Sequence, residues 1–305
     1  MPFLTVGTAT YNFKDFIIRS YESLRLQTYR DFEWIIVDDG SEDNTDALVA
    51  SWIKQNSIKI RYYKFSENKG KMAAMNFAIR EAEGIFFVPL DADDTLKDYA
   101  LDHIVKKWYS INHNLQEQIA ALVFNCEDQH GNKVGTLFPS DPLICDYFDL
   151  KFKYKVRGDK IQIYKTKVLL EFPYYDHVDK HVIHSATYFD IAYHYKLYCS
   201  NEFLFIYYQN ETGKIRLSQK LNKLRFIKGR QFYAEKRINK YFNRIKSIKF
   251  RMETFISYYR YSHHSGIKLN EMFKRINLKR FKIFFIFIIP FGFIIVIMDK
   301  LRKRI

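Results

Sequence analysis

The sequence predicts an α/β fold in which a mainly parallel sheet is flanked by helices. First, short apolar runs alternate with segments whose apolar residues recur at helical spacing, which is typical of repeated strand and helix units. Second, a turn signal at His130-Gly131-Asn132 indicates that the sheet becomes antiparallel there and is therefore mixed. Third, 48% of the 305 residues are apolar, which excludes a disordered chain and suffices for one large or two smaller folded units.

The individual elements follow from these patterns in chain order. Strands are predicted at residues 3–10, 32–37, 58–65, 85–90 and 119–126, with two more at 160–164 and 203–208. Helices are predicted at residues 13–24, 47–53, 71–82 and 101–109, and near 181–195. From residue 216 to about 261, apolar and basic residues alternate almost without Gly or Pro, as in amphipathic basic helices.

The formal charge of +15 is unevenly distributed along the chain. Residues 216–282 contain 20 Lys or Arg and 3 Asp or Glu, whereas residues 1–215 contain 25 and 30. A mildly acidic part is thus joined to a basic extension, a pattern that also suggests a nucleic-acid binder. Three widely spaced cysteines predict neither a disulfide framework nor a zinc site. Because residues 1–11 lack the pattern of a secretion signal, we expect this end of the chain to remain in the cytoplasm.

Three polar clusters follow three of the predicted strands. They are Thr10-Tyr11-Asn12, Asp38-Asp39-Gly40-Ser41 and Asp91-Ala92-Asp93-Asp94. Ligands of open α/β sheets collect at the carboxyl ends of the strands, so we expect the clusters to share one rim. Neighbouring carboxylates repel each other unless a cation compensates, and their hard oxygens suit Mg²⁺ or Mn²⁺. Each cluster alone is also typical of a turn or a helix cap, and that alternative stays open.

Four motifs occur in the first third of the chain: Thr10-Tyr11-Asn12, the run WIIVDDGSEDNT at residues 34–45, Asn68-Lys69-Gly70-Lys71 with Asn76, and Leu90-Asp91-Ala92-Asp93-Asp94. Together they resemble the glycosyltransferase family 2 pattern of GT-A fold enzymes. The motifs occur in the order and at the intervals of the family over residues 1–110. The resemblance is weaker over residues 111–215 and absent beyond them.

The resemblance implies a site for a nucleotide-sugar donor, with a UDP-sugar expected. Asp39 matches the carboxylate that recognises the nucleotide base, and the backbone of Ala9 and Tyr11 lies where the first strand lines the base pocket. Asp91 and Asp93 match the Asp-x-Asp motif, with Asp91 directed to the ribose and the metal, and Asp93 to the metal and the diphosphate.

A fourth predicted site residue is Lys71, which begins a predicted helix. A helix amino terminus attracts anions, and the lysine adds a positive charge there. An exposed lysine without a role in binding fits the pattern equally well.

Members of the family resemble one another in a single displacement that inverts the anomeric carbon, in which a side chain removes the proton of the acceptor hydroxyl. The resemblance puts His184 where a Glu is expected, and a histidine can act as a base near neutral pH. Asp176 and Asp179 are close enough in sequence to substitute. If His184 only packs at a helix start, the chain is a catalytically impaired scaffold that binds nucleotide sugars at the membrane. Residues 207–213 resemble the closing strand and glycine loop near the acceptor.

Residues 283–298 (IFFIFIIPFGFIIVIM) are apolar and flanked by basic residues on both sides. Sixteen helical residues reach about 24 Å, less than the hydrocarbon core of about 30 Å. A re-entrant or interfacial segment therefore competes with a short tilted span, and burial against another subunit is the alternative to membrane contact. The cationic stretch before it suits anionic lipid headgroups. We expect the chain to associate with the cytoplasmic face of the cell membrane.

The resemblance and the carboxylate clusters together therefore favour an inverting, metal-dependent glycosyltransferase of the hexosyltransferase type. Its acceptor is expected to be a saccharide or a lipid-linked molecule, as in the synthesis of cell-surface polysaccharides or glycans. Sugar nucleotidyltransferases share the α/β architecture, but residues 5–14 lack the basic, glycine-rich loop that they require. No nucleic-acid partner is expected. Three parts are predicted: a GT-A domain (1–215), a basic helical extension (216–282) and an apolar membrane segment with a basic tail (283–305).

Overall fold

A nine-stranded mixed sheet dominates the part of the chain that the computed structural model describes, residues 2–208 and 226–302. The strands are β1 (Leu4–Thr10), β2 (Phe32–Asp38), β3 (Lys59–Lys64), β4 (Phe86–Pro89), β5 (Thr95–Leu96), β6 (Ile119–Asp128), β7 (Leu143–Cys145), β8 (Lys160–Lys165) and β9 (Lys196–Tyr207). Their order across the sheet is β3-β2-β1-β4-β8-β6-β9-β5, and β7 also pairs with β9.

The first four strands form the parallel half of the sheet, which confirms the predicted strand and helix units. β1 lies between β2 and β4, and β3 pairs with the far side of β2. All seven residues of β2 are buried, as a continuous apolar run predicts for a central parallel strand. β8 then lies antiparallel between β4 and β6, so the sheet is mixed, as expected.

Six α-helices and one short π-helix (Asp149–Lys153) accompany the strands within residues 2–174. The α-helices are α1 (Lys14–Arg25), α2 (Thr45–Gln55), α3 (Lys71–Glu81), α4 (Ala100–Ser110), α5 (His113–Gln118) and α6 (Thr166–Glu171). Aromatic stacking joins α1 and α2 to the sheet: the ring of Tyr21 lies 4.3 Å from that of Trp52, which lies 6.0 Å from that of Trp34 in β2. Because these three rings are almost fully buried, they fix both helices on the same face of the sheet.

The later helices are α7 (Ser185–Ile191), α8 (Ile227–Lys236), α9 (Ile248–His264), α10 (Leu269–Arg275) and α11 (Lys279–Arg302). Residues 175–189 and 226–302 form a compact unit of their own, separate from the sheet-bearing unit of residues 2–174 and 190–208. In this second unit, Phe255, Tyr258 and Phe285 are buried in a small apolar core. Elsewhere in this unit, the hydroxyl of Tyr241 donates a hydrogen bond to the backbone carbonyl of Ala186 at 2.8 Å. The predicted boundaries at residues 215 and 282 stay predictions.

Several details differ from the prediction. The helix expected near residues 181–195 is confined to α7, and the strand expected at 203–208 begins earlier, in β9. The two-residue β5, the three-residue β7 and the six-residue helices α5 and α6 were not predicted, because elements this short carry no periodic pattern. The first ten residues of the predicted basic helices, 216–225, lie outside the described residues. Within the described residues, one stretch, Lys279–Leu301, is long and apolar enough to cross a membrane by length and composition.

Candidate active site

The carboxyl ends of β1, β2 and β4 meet at one edge of the sheet. The register pairs Thr10 with Asp38, and Gly7 with Pro89, so that the chain leaves all three strands on the same side. The backbone N–H of Asp39 donates to the carbonyl of Thr10 at 2.8 Å, which extends this pairing into the loop. The three polar clusters singled out in the sequence therefore share one rim.

Three carboxylates form a close cluster immediately after β4. One oxygen each from Asp91, Asp93 and Asp94 lies within 4.8 Å of the others, and this cluster is the one candidate cation site found among the described residues. Asp94 was not among the predicted ligands, although it belongs to the same sequence run. It is 2% exposed, and its Oδ1 accepts the N–H of Tyr208 at 3.1 Å, which joins the cluster to the end of β9.

Lys71 is paired with this cluster. Its Nζ donates to both oxygens of Asp91, at 2.6 Å and 2.8 Å. Burial of the ammonium lowers the pKa of Lys71, but the charge and hydrogen bond of Asp91, together with the charges of Asp93 and Asp94, raise it above its usual value. Lys71 is therefore a fixed positive charge beside three carboxylates, at the first residue of α3.

Asp39 holds the turn that leads into α3. Its two carboxylate oxygens accept the backbone N–H groups of Lys69, at 2.6 Å, and Gly70, at 2.8 Å. Gly70 has a φ of 98°, a conformation that residues with a side chain rarely adopt, and it directly precedes Lys71. The 3% exposure of Asp39 reflects this structural task, and its role in recognising a nucleotide base stays a prediction.

A second set of hydrogen bonds joins the loops after β1 and β2. Asn12, at a φ of 54°, donates its N–H to Oγ of Ser41 and accepts the N–H of Glu42, both at 2.9 Å. Asp38 is fully buried, and its two oxygens accept the N–H of Ser41 and the hydroxyl of Tyr62. Burial and the Asp38 carboxylate raise the pKa of Tyr62 far above its usual value, so the phenol stays protonated as a donor.

The two residues predicted to line a base pocket lie on this stabilised rim. Ala9 is the penultimate residue of β1 and is partly buried, whereas Tyr11 follows the strand and is 44% exposed. A rigid backbone beside an exposed aromatic ring can accept the flat face of a heterocyclic base.

The three candidate bases belong to the second unit. His184 directly precedes α7, and its carbonyl accepts the N–H groups of Thr187 and Tyr188. The oxygens of Asp179 accept the backbone N–H groups of Lys180, at 2.8 Å, and of a glycine in α8, at 3.0 Å.

Asp176 is the remaining candidate, and its side chain is 31% exposed. Its Oδ1 lies 4.0 Å from Nδ1 of the exposed His177. In the segment expected near the acceptor, Tyr207 is the last residue of β9 and Tyr208 follows the strand. Residues 209–213 lie outside the described residues.

Comparison with protein families matches residues 5–125 to the family described as Glycosyl transferase family 2. A curated relative, the teichoic acid poly(glycerol phosphate) polymerase of Staphylococcus epidermidis, is 38% identical over 105 residues, which are 34% of this chain and 15% of the relative. The chain covers 15%, 25% and 32% of the lengths of the first three curated relatives that it matches.

Solved structures share the fold over most of the chain. S. aureus TarS 1–349 in complex with UDP-GlcNAc has a TM-score of 0.59 at 16% identity, over 90% of this chain and 81% of TarS 1–349. The mannosyltransferase PcManGT from Pyrobaculum calidifontis, in complex with GDP-Man and Mn²⁺, has a TM-score of 0.53 at 17% identity, over 87% of this chain and 73% of its own. The expected GT-A fold is thereby confirmed.

Proposed function

We propose that the protein is a glycosyltransferase of family 2, whose model matches residues 5–125, and that it transfers a sugar from a nucleotide-sugar donor to a saccharide or lipid-linked acceptor. The observation that carries the proposal is the carboxylate cluster of Asp91, Asp93 and Asp94 at the carboxyl end of a parallel strand, paired with Lys71. The UDP-GlcNAc and GDP-Man in the complexes of the structural relatives support a nucleotide-sugar donor, and we propose a UDP-sugar.

The donor atoms of the cluster fit Mg²⁺ or Mn²⁺. Three carboxylates within 4.8 Å of one another offer the hard oxygen ligands that these ions prefer. Asp91 and Asp93 would hold the ion, with Asp94 as a third candidate ligand. A bound ion would supply positive charge for the diphosphate leaving group. The Mn²⁺ of the mannosyltransferase complex supports this assignment.

The side chains of the protein itself perform the remaining tasks. Asp39 holds the turn before α3, and Lys71 at the amino end of that helix offsets part of the negative charge of the cluster, so that a diphosphate meets less repulsion there. Tyr11 and the backbone of Ala9 would line the base.

For the acceptor we propose inversion by single displacement, in which His184 takes the proton of the attacking hydroxyl. Asp176 is the first substitute for His184 in this role. Asp179 ranks below it, because its two oxygens already accept backbone hydrogen bonds.

Calorimetric titration of the full chain with a panel of nucleotide sugars, with and without Mn²⁺, tests the donor site. We expect one UDP-sugar to bind with Mn²⁺-dependent affinity, and transfer to a saccharide or lipid-linked acceptor to give the inverted anomer. No binding of any nucleotide sugar would overturn the proposal. Tight binding without turnover over a broad acceptor panel would instead identify the impaired scaffold, which the histidine at the position of the base favours.

We further propose that the apolar helix α11 attaches the protein to the cytoplasmic face of a membrane. The length and composition of Lys279–Leu301 and the basic residues around it support this placement. A lipid-linked acceptor is consistent with such an attachment, because it would be held at the same surface, as in the synthesis of cell-surface polysaccharides.

A further inference from the structure

Helix α11 has one narrow buried stripe and a wide exposed apolar face. The buried residues recur at every third or fourth position and are Phe281, Phe285, Ile288, Gly292, Val296 and Asp299. Ten large apolar side chains on the rest of the helix are between 36% and 68% exposed: Ile283, Phe284, Ile286, Phe287, Phe291, Phe293, Ile294, Ile297, Met298 and Leu301. A continuous apolar face of this size marks an interaction surface.

The buried stripe packs on α9 within the same unit. A Cβ at Gly292 would lie 2.5 Å from Cδ1 of Tyr259, so the two helices approach closely where α11 has no side chain. Near the end of α11, Asp299 accepts hydrogen bonds from Nε of Arg260, at 2.6 Å, and lies 3.1 Å from Nε2 of His264. The buried stripe of α11 is therefore an interface with protein along its whole length.

Helix α10 also packs on the first half of α11, through rings of Phe273 and Phe285 that lie 5.3 Å apart. On the same short helix, Glu271 and Arg275 form an ion pair, and their side chains are 49% and 39% exposed. If α11 crossed a bilayer, α9 and α10 would have to enter the hydrocarbon with it, because the stripe from 281 to 299 spans about 27 Å of a core of about 30 Å. Charged side chains placed in the hydrocarbon are energetically costly.

We propose that α11 lies in the plane of an anionic membrane surface, with its exposed apolar face in the boundary between headgroups and acyl chains and its stripe against α9. The proposal rests on the membrane association proposed above and specifies its geometry. It leaves the charges of α9 and α10 outside the hydrocarbon, as in other interfacial helices. Lys279, Arg280 and Lys300 are exposed at the two ends of the helix, so both ends reach anionic headgroups of the same leaflet. A continuous helix from 279 to 302 also excludes a re-entrant hairpin.

Sedimentation of the full chain with vesicles of phosphatidylglycerol and phosphatidylcholine tests the surface itself. Replacing Phe287 and Phe291 together with serine should lower the partition coefficient at least about tenfold, because two large apolar side chains no longer enter the lipid. Leu26→Ser is the matched control, since Leu26 is a similarly exposed apolar residue of the sheet-bearing unit. The double variant Lys279→Glu with Arg280→Glu should weaken binding to anionic vesicles but not to vesicles of phosphatidylcholine alone. The control variant Lys54→Glu should bind both kinds of vesicle as the parent does.

Cysteine labelling decides whether α11 lies in the plane of the membrane or crosses it. Single cysteines replace Leu278, Phe287 or Leu301, and the three native cysteines give little background because each is buried. In inverted membrane vesicles from cells that produce the chain, an impermeant maleimide should label Leu278→Cys and Leu301→Cys equally, and Phe287→Cys at least about tenfold less. Labelling of one end only after the vesicles are opened would overturn the in-plane geometry.

The remaining outcomes separate this inference from the proposed function. Absence of vesicle binding with intact binding of a nucleotide sugar would reject the membrane surface and leave the enzyme proposal standing. Phe287→Cys could also be protected from the maleimide in the absence of vesicles, to a degree that rises with protein concentration. This result would show that a second copy of the chain covers the apolar face, and it would overturn the lipid assignment.

Discussion

Lys71 and Asp91 form a two-pronged ion pair, with Nζ of the lysine 2.6 Å and 2.8 Å from the two carboxylate oxygens. The pair sets a positive charge next to Asp93 and Asp94, which would otherwise repel Asp91 at the same rim. A cluster of three carboxylates is thus partly neutralised before it meets a cation or a diphosphate.

Replacing Lys71 with Met removes this charge but keeps an unbranched side chain. We expect the free energy of unfolding to fall by about 1–2 kcal/mol without metal, because Asp91 loses the ion pair beside two other carboxylates. Chemical denaturation measures the loss, and Mn²⁺ should restore part of it. Lys54→Met, at an exposed site on α2, is the control. Equal stability of the Lys71 variant and the parent would contradict a neutralising role.

Replacing Asp93 with Asn removes one negative charge from the cluster and keeps the shape of the side chain. Turnover in a transfer assay should fall about 100-fold or more, since the charge that assists the leaving group is lost. Thermal stability without metal should be unchanged or slightly higher, because carboxylate repulsion decreases. Asp98→Asn, at an exposed position four residues after Asp94, should retain activity. Full activity of the Asp93 variant would refute its metal assignment.

Replacing His184 with Ala tests the proposed base. Turnover should fall by about 10²-fold or more while the affinity for the nucleotide sugar changes little, because a general base acts on the acceptor and not on the donor. Single-turnover kinetics and calorimetry separate the two effects. His113→Ala, on the exposed surface of α5, should change neither. If turnover persists, Asp176→Asn becomes the next variant, and an effect there would reassign the base.

Replacing Asp39 with Ala leaves the backbone N–H groups of Lys69 and Gly70 without their carboxylate partner. We expect a loss of about 2–4 kcal/mol in the free energy of unfolding, from two backbone donors left without this partner at about 1–2 kcal/mol each. Asp39→Asn should lose less, because its amide oxygen can still accept one bond. Urea denaturation of both variants measures the losses, and an Asp39→Ala variant as stable as the parent would show that the two hydrogen bonds contribute little.

Lys165 makes stability depend on pH. Burial, together with the positive charge of Lys167, lowers the pKa of Lys165 to about 8. Its Nζ donates to the carbonyl of Gln116 at 2.6 Å. In the unfolded chain the lysine titrates near 10.4, so between pH 8 and about 10.4 the unfolded state binds more protons and stability from this group rises with pH.

The variant Lys165→Met removes this dependence. The unfolding free energy of the parent minus that of the variant should increase by about 1–3 kcal/mol between pH 7.5 and 10.5. Denaturation curves of both proteins at several pH values measure this difference in unfolding free energy. The titration of all other groups contributes equally to both proteins and therefore drops out of the difference. Parallel pH profiles of parent and variant would show that Lys165 titrates normally in the folded state.

The parallel half of the sheet could be predicted because its strands are continuous apolar runs between helices of regular period. The shared rim followed, since residues after parallel strands must leave at the same edge. Asp94 could have been included from its position in the same run. The hydrogen bonds of Asp39 could not be predicted, because its partners Lys69 and Gly70 lie 30 and 31 residues away and belong to another loop.

The sequence alone determined the order of the strands and helices, the resemblance of residues 1–110 to a family, and the set of carboxylates at the strand ends. These depend on local periodicity and on motifs a few residues long. Only the tertiary structure decided that Lys71 neutralises Asp91, and that α11 turns one stripe to α9 and leaves its other faces apolar and exposed. Both depend on contacts between residues far apart in the chain, and the apolar pattern of α11 is too uniform to mark which side is buried.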